Sequence, residues 1–146
     1  KSYKNITIMG LDQFAYRIKK GLVDVDVDFS TEEYNEETKD YDIIVDKTEF
    51  HYWRKRPSIQ GWMQNLYESK GGVNPEFNCV NVKVDMEDLL ELQREIVEGS
   101  LSEHFHGGFF FGEEKSSDMK EDDLEFVSKA IIAVTDGDEI YYSSWW

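Results

Sequence analysis

Residues 13–19 alternate in character. Phe14, Tyr16 and Ile18 face one way and Gln13, Ala15, Arg17 and Lys19 the other, the period of a half-buried strand. Residues 23–29 repeat the pattern, with Val23, Val25, Val27 and Phe29 set against Asp24, Asp26 and Asp28. Gly21 between the two runs predicts a turn. The segment 30–40, STEEYNEETKD, is polar and acidic and predicts a mobile loop or weak helix; YDIIVD at 41–46 predicts a short strand. After Pro57, Ser58 is a candidate N-cap, and Ile59, Trp62, Met63, Leu66 and Tyr67 recur at helical spacing until Gly71 and Gly72. FNCVNVKV at 77–84 alternates again and predicts a strand. Asp85 then caps a helix with Glu87 and Asp88 in its first turn, where the helix dipole favours acids, and with Leu89, Leu92 and Ile96 as its apolar stripe before Gly99. SLSEHFHGGFFFG at 100–112 predicts a buried strand with irregular flanks. A helix over roughly 119–135 carries Leu124, Val127, Ala130, Ile131 and Val134 on one face, and EIYYSSWW at 139–146 predicts a terminal strand. Strands and helices in comparable number predict one α+β domain over 1–146, a mainly antiparallel sheet with about three helices.

Composition narrows the classes. A chain of 146 residues can bury roughly 70% of its unfolded surface as one domain. The 40% hydrophobic and 14% aromatic content opposes wholesale disorder. Cys79 is the single cysteine, so no disulfide can form within the chain and a reducing compartment fits. No run approaches the roughly 18 apolar residues of a membrane span, and KSYKNITIMGLDQFAY lacks the pattern of a signal peptide. The expectation is a cytoplasmic protein with no membrane association. The net charge of -15 would repel phosphate backbones, so direct nucleic-acid binding is not expected. Acidity of this degree either imitates DNA toward a DNA-binding protein or keeps the protein soluble.

The charge is uneven. Residues 24–46 hold ten acids and one lysine, residues 85–126 hold fourteen acids and three bases, and residues 51–70 hold four bases and one acid. The basic island contains YWRKRPSIQGW at 52–62, three cations between two tryptophans. Arginine forks onto phosphate or carboxylate and stacks on rings, so Tyr52, Trp53, Arg54, Lys55 and Trp62 make a kit for a nucleotide-like anion, and the helix start nearby adds backbone donors. The alternative is a packed pair of tryptophans with solvated cations.

Other constellations carry less. Asp24, Asp26 and Asp28 lack the loop of a calcium site. His104 and His106 with His51 or Glu103 could hold zinc, but a histidine pair without that role is the preferred reading, and neither a metal site nor a cofactor is expected. Cys79 reads as a buried, inert thiol. No nucleophile–base pair and no phosphate-binding glycine loop occurs, which argues against an enzyme. Phe110 within GGFFFG and Ser144 and Trp145 within YYSSWW add aromatic and hydroxyl groups that could border the same pocket, and the terminal tryptophans could also pack on a second subunit in a homodimer.

The ordered set YWRK at 52–55, IQGW at 59–62, GFFFG at 108–112, DDLEF at 122–126 and YYSSW at 141–145 resembles a family of small uncharacterised bacteriophage and prophage proteins. GLDQFAY at 10–16 resembles that family's opening, with glutamine where methionine is usual. Some members bear a phosphoglycerate kinase label, which this chain's length and lack of a nucleotide loop oppose. The resemblance implies a phage-type accessory protein acting in a bacterial cytoplasm, with those motifs as signature positions. The leading expectation is binding of a small anionic ligand by Tyr52, Trp53, Arg54, Lys55, Trp62, Phe110, Ser144 and Trp145. The alternative is an acidic protein that inhibits a host defence or DNA-binding factor, and a small-substrate enzyme ranks third.

Overall fold

The computed structural model describes residues 10–101 and 116–146, the latter segment with side chains from residue 119. Its strands are β1 (Asp12–Lys19), β2 (Glu32–Asn35), β3 (Asp40–Ile43), β4 (Thr48–Arg54), β5 (Asn81–Val84) and β6 (Asp138–Trp145). Its helices are α1 (Pro57–Ser69), α2 (Met86–Glu98) and α3 (Ser116–Thr135). Strands β4, β1, β6 and β5 form a four-stranded sheet in that order, every neighbour antiparallel, and β2 and β3 form a two-stranded antiparallel ribbon. The α+β architecture expected from the alternating patterns is therefore present.

The helices cover one face of the sheet. Ala15, Trp53, Val82, Val84, Ile140 and Tyr142 project from the strands into a core closed by Ile59, Trp62 and Met63 of α1, Leu89, Leu92 and Ile96 of α2, and Phe126, Val127 and Ala130 of α3. A bulge tightens this packing. Ala15 pairs with His51 but Tyr16 with Glu49, so Phe50 is the extra residue on β4, and both Phe50 and His51 turn their rings toward Phe126. A smaller cluster of Ile18, Val23 and Tyr141 lies on the other face. No helix among the described residues is long and apolar enough to cross a membrane.

Four local expectations are corrected. The run at 23–29 is no ladder strand but a strap along β5: Asp28 N–H donates to Asn81 O at 3.1 Å, Lys83 N–H donates to Asp26 O at 2.8 Å, and Val27 makes a lone bridge to Val82. The repelling aspartates face solvent while Val23 is buried, and the strap covers the outer edge of β5. Residues 32–43 form a hairpin rather than a loop or weak helix, because Asn35 Oδ1 accepts from Glu37 N and Thr38 N and Lys39 takes the left-handed conformation that closes the turn. Arg56, not Ser58, occupies the N-cap of α1, with Pro57 at the first helical position and Ser58 buried. Strand β5 begins only at Asn81, since Phe77 and Cys79 both adopt positive φ, and the Cys79 thiol is exposed rather than buried. The aromatic run at 100–112, including Phe110, His104 and His106, lies largely outside the described residues.

Candidate functional site

The three consecutive cations at 54–56 have different fates. Arg56 is 5% exposed and grips Asp123 of α3 with both guanidinium arms, Nη1 to Oδ1 at 2.7 Å and Nη2 to Oδ2 at 2.8 Å. Trp53 Nε1 also donates to Asp123 Oδ1 at 3.3 Å. Gln13 secures the other side of Arg56, accepting from its backbone N–H at 2.9 Å and donating to its carbonyl at 3.0 Å. The chain of bonds continues from Gln13 to the Tyr142 hydroxyl, which donates to Gln60, which donates to Phe77 O. Burial pushes the Asp123 carboxyl up, against the pull of Arg56, and pushes the Tyr142 hydroxyl far up. This network joins β1, β4, α1, α3 and β6, and Gln13, Trp53, Arg56, Gln60, Asp123 and Tyr142 are all buried. Its chemistry is structural.

Arg54 and Lys55 instead face solvent, and neither side chain makes a hydrogen bond or ion pair among the described residues. Strand alternation separates the predicted ligand set. Trp53 and Ser144 point to the helix-covered face and are 2% exposed each, and Trp62 is 6% exposed with its Nε1 donating to buried Glu95 at 2.9 Å. Those three cannot line an open pocket as expected, because each occupies the core or its polar lining. Tyr52, Arg54 and Trp145 share the opposite sheet face. Asp12 of β1 pairs with Arg54 on one side and with Trp145 on the other, so the two residues flank it across three strands. Tyr52 is 45% exposed and donates to Asp12 at 2.5 Å, a bond that holds its hydroxyl pKa above the ordinary value. Lys55 stands beside Gly10 at the same end. Four of the eight expected residues therefore gather at one end of the sheet, around the acid Asp12.

One cavity among the described residues lies elsewhere. It measures about 290 Å³ and is bounded by Lys20, Lys83, Val84, Met86, Val134 and Ile140, among which no expected ligand residue appears.

The acid-rich segment supplied the geometry that sequence patterns missed. In the β2–β3 register Tyr34 opposes Tyr41 and Glu32 opposes Ile43, so Tyr34, Tyr41 and Ile43 share one face of the ribbon. The other face carries Glu33, Asp40 and Asp42. The two tyrosine rings meet edge-on at 5.3 Å, yet Tyr34, Tyr41 and Ile43 are 50%, 61% and 65% exposed. The ribbon is planted at its base, where Ile44 and Val45 donate to Thr31 O and Lys47 pairs with Glu32 at 3.3 Å. The signal was present in the alternation of Tyr34 and Tyr41 with acids about a central Asn35, and the charge of the stretch masked it. No family model, curated protein or solved structure matches this chain.

Proposed function

We propose that the chain is a non-catalytic, acidic interaction protein that engages a basic protein surface through the β2–β3 ribbon. The observation that carries this reading is an exposed aromatic face, Tyr34, Tyr41 and Ile43, backed by Glu33, Asp40 and Asp42. Interfaces bury aromatic anchors at their centre and keep charge at the rim, and the sign of this rim selects a cationic partner. The net charge of -15 would speed the encounter and make it salt-dependent. The resemblance to small phage proteins points to a host protein with a nucleic-acid-binding surface as the partner class. Immobilised protein, offered a bacterial lysate at low and high salt, should retain basic proteins only at low salt, and a Tyr34→Ser/Tyr41→Ser variant should lose them. Retention indifferent to both salt and the variant would refute the reading.

A second reading, binding of a small anionic ligand, rests on Arg54 and Lys55 beside Tyr52 and Trp145. The face offers stacking rings and a forked donor, with the Asp12 carboxylate between Arg54 and Trp145 opposing an anion there. Native mass spectrometry of the protein as purified would decide it: a retained small anion lost on Arg54→Ala supports this site, and a bare chain removes it.

A further inference from the structure

We propose that His51, Asp122 and Glu125 form a binding site for a divalent transition-metal ion of the zinc type. The site lies apart from the ribbon and does not depend on its function. The bulge in β4 turns His51 toward α3. His51 is 7% exposed, its ring at centroid distances of 4.6 Å to Trp53 and 5.3 Å to Phe126, so packing fixes the direction of its nitrogen atoms. Asp122 and Glu125 are three residues apart on α3, the spacing that places side chains on one helix face. One ligand atom from each of the three residues lies within 4.8 Å of the other two, and His51 Nε2 stands 3.0 Å from Asp122 Oδ2.

A histidine–aspartate hydrogen bond accounts for two of these groups. It does not account for the third. Glu125 brings a second carboxylate into the same few ångströms on a chain that already carries -15, and like charges so close repel. No lysine or arginine among the described residues pairs with either acid. Lys129, one turn beyond Glu125, donates instead to Phe50 O at 2.7 Å. Asp123, between the two acids in sequence, is committed to Arg56. A cation is the partner that this arrangement lacks. Bonds of about 2.0–2.2 Å to zinc place neighbouring donors about 3–3.6 Å apart, and a small rotation of exposed Glu125 reaches that spacing. One imidazole and two carboxylates suit zinc, manganese or ferrous iron, whereas calcium and magnesium favour all-oxygen shells. Three protein ligands leave a coordination position for water on the exposed side. The ion would tie edge strand β4 to α3 beside the Arg56–Asp123 pair. Sequence reasoning expected no metal site and weighed His51 only with the distant His104 and His106; the carboxylates came from a helix seventy residues away.

The test uses the full chain, stripped with a chelator and titrated with Co²⁺ by visible absorption and with Zn²⁺ by calorimetry. One equivalent of each should bind, with Zn²⁺ displacing Co²⁺. Glu125→Gln and Asp122→Asn should each weaken Zn²⁺ binding at least about tenfold while the metal-free thermal midpoint of Glu125→Gln is at or above the parent's value, since the substitution relieves the repulsion. His51→Ala removes a packed ring, so its folding is checked first by circular dichroism and the conclusion rests on the two carboxylate variants. Absence of saturable one-equivalent binding overturns the site. So does unchanged affinity in both carboxylate variants, or binding that disappears only in a His104→Ala/His106→Ala variant.

Discussion

Removal of the Asp123 carboxylate, by Asp123→Ala, is the most informative perturbation of the fold. Arg56 is 5% exposed and both its guanidinium arms end on Asp123, whose side chain is 3% exposed. Without Asp123 the buried guanidinium loses the carboxylate that holds both of its arms. Breaking a buried pair from one side costs about 3–5 kcal/mol, since solvation lost on folding is no longer offset. Trp53 Nε1 loses its acceptor as well, an additional cost of about 1 kcal/mol or more. A domain of this size is stable by about 5–15 kcal/mol, so the variant should be marginal, with a thermal midpoint lowered by roughly 10 °C or more. Guanidinium chloride unfolding followed by tryptophan fluorescence and far-ultraviolet circular dichroism gives the loss, read as a shift in midpoint at constant slope. The companion variant Arg56→Met/Asp123→Leu removes both charges at similar volume and should recover most of it, because a buried ion pair contributes little net stability over apolar packing. With the single variants Arg56→Met and Asp123→Leu added, the cycle should return a coupling energy of several kcal/mol. A loss under about 1 kcal/mol for Asp123→Ala, or a double variant as unstable as the sum of the singles, would refute the account of Arg56 as a buried, partner-dependent cation.

Two further outcomes follow from burial. Tyr141 and Tyr142 are 1% and 0% exposed and desolvation raises both hydroxyl pKa values well beyond the ordinary 10.0. A group whose folded pKa is raised contributes stability that is complete below its unfolded pKa and is lost as pH climbs above it. The protein should therefore unfold in alkali above about pH 10, with a late rise in tyrosinate absorbance coincident with the loss of circular dichroism; ionisation of all eight tyrosines before any loss of circular dichroism would contradict this. Gly72 packs against the ring of Tyr67, into which an added Cβ would fall well inside contact distance. That ring cannot yield, since its hydroxyl donates to Asp28 and accepts from Val73 and Asn74. Gly72→Ala should cost about 1–3 kcal/mol, and a melt superimposable on the parent's would show that the turn has room.

How far the sequence could be read depended on whether the information was local. The strand at 12–19, the helix from Asp85 to Gly99 and the terminal strand carry their own periodicity and caps: Asp85 accepts from Asp88 N–H at 3.1 Å and Gly99 takes the left-handed cap, as their positions implied. The strap at 23–29 defeated the same reasoning, because alternation of Val and Asp records which side is wet and says nothing of whether a neighbouring strand supplies a ladder. The hairpin at 32–43 was hidden by its charge, and only pairing across the turn reveals that its two tyrosines coincide.

The expected site residues are divided for a more specific reason. In YWRKRP, strand alternation carries through Tyr52, Trp53 and Arg54, so neighbours in sequence become opposites in space: Trp53 enters the core while Tyr52 and Arg54 face solvent. The chain then turns at Lys55, whose positive φ of 54° ends the strand and swings Arg56 inward to meet Asp123. A run of like charges read as one patch is thus one buried structural ion and two exposed cations. The partner that decides this, Asp123, lies 67 residues further on in a block of acids that composition treats as uniform. The same block supplies Asp122 and Glu125 to His51. Within four residues of α3, three acids divide between a buried ion pair and the proposed ion site, and what separates them is helical phase, 100° per residue, acting on side chains of one chemical kind.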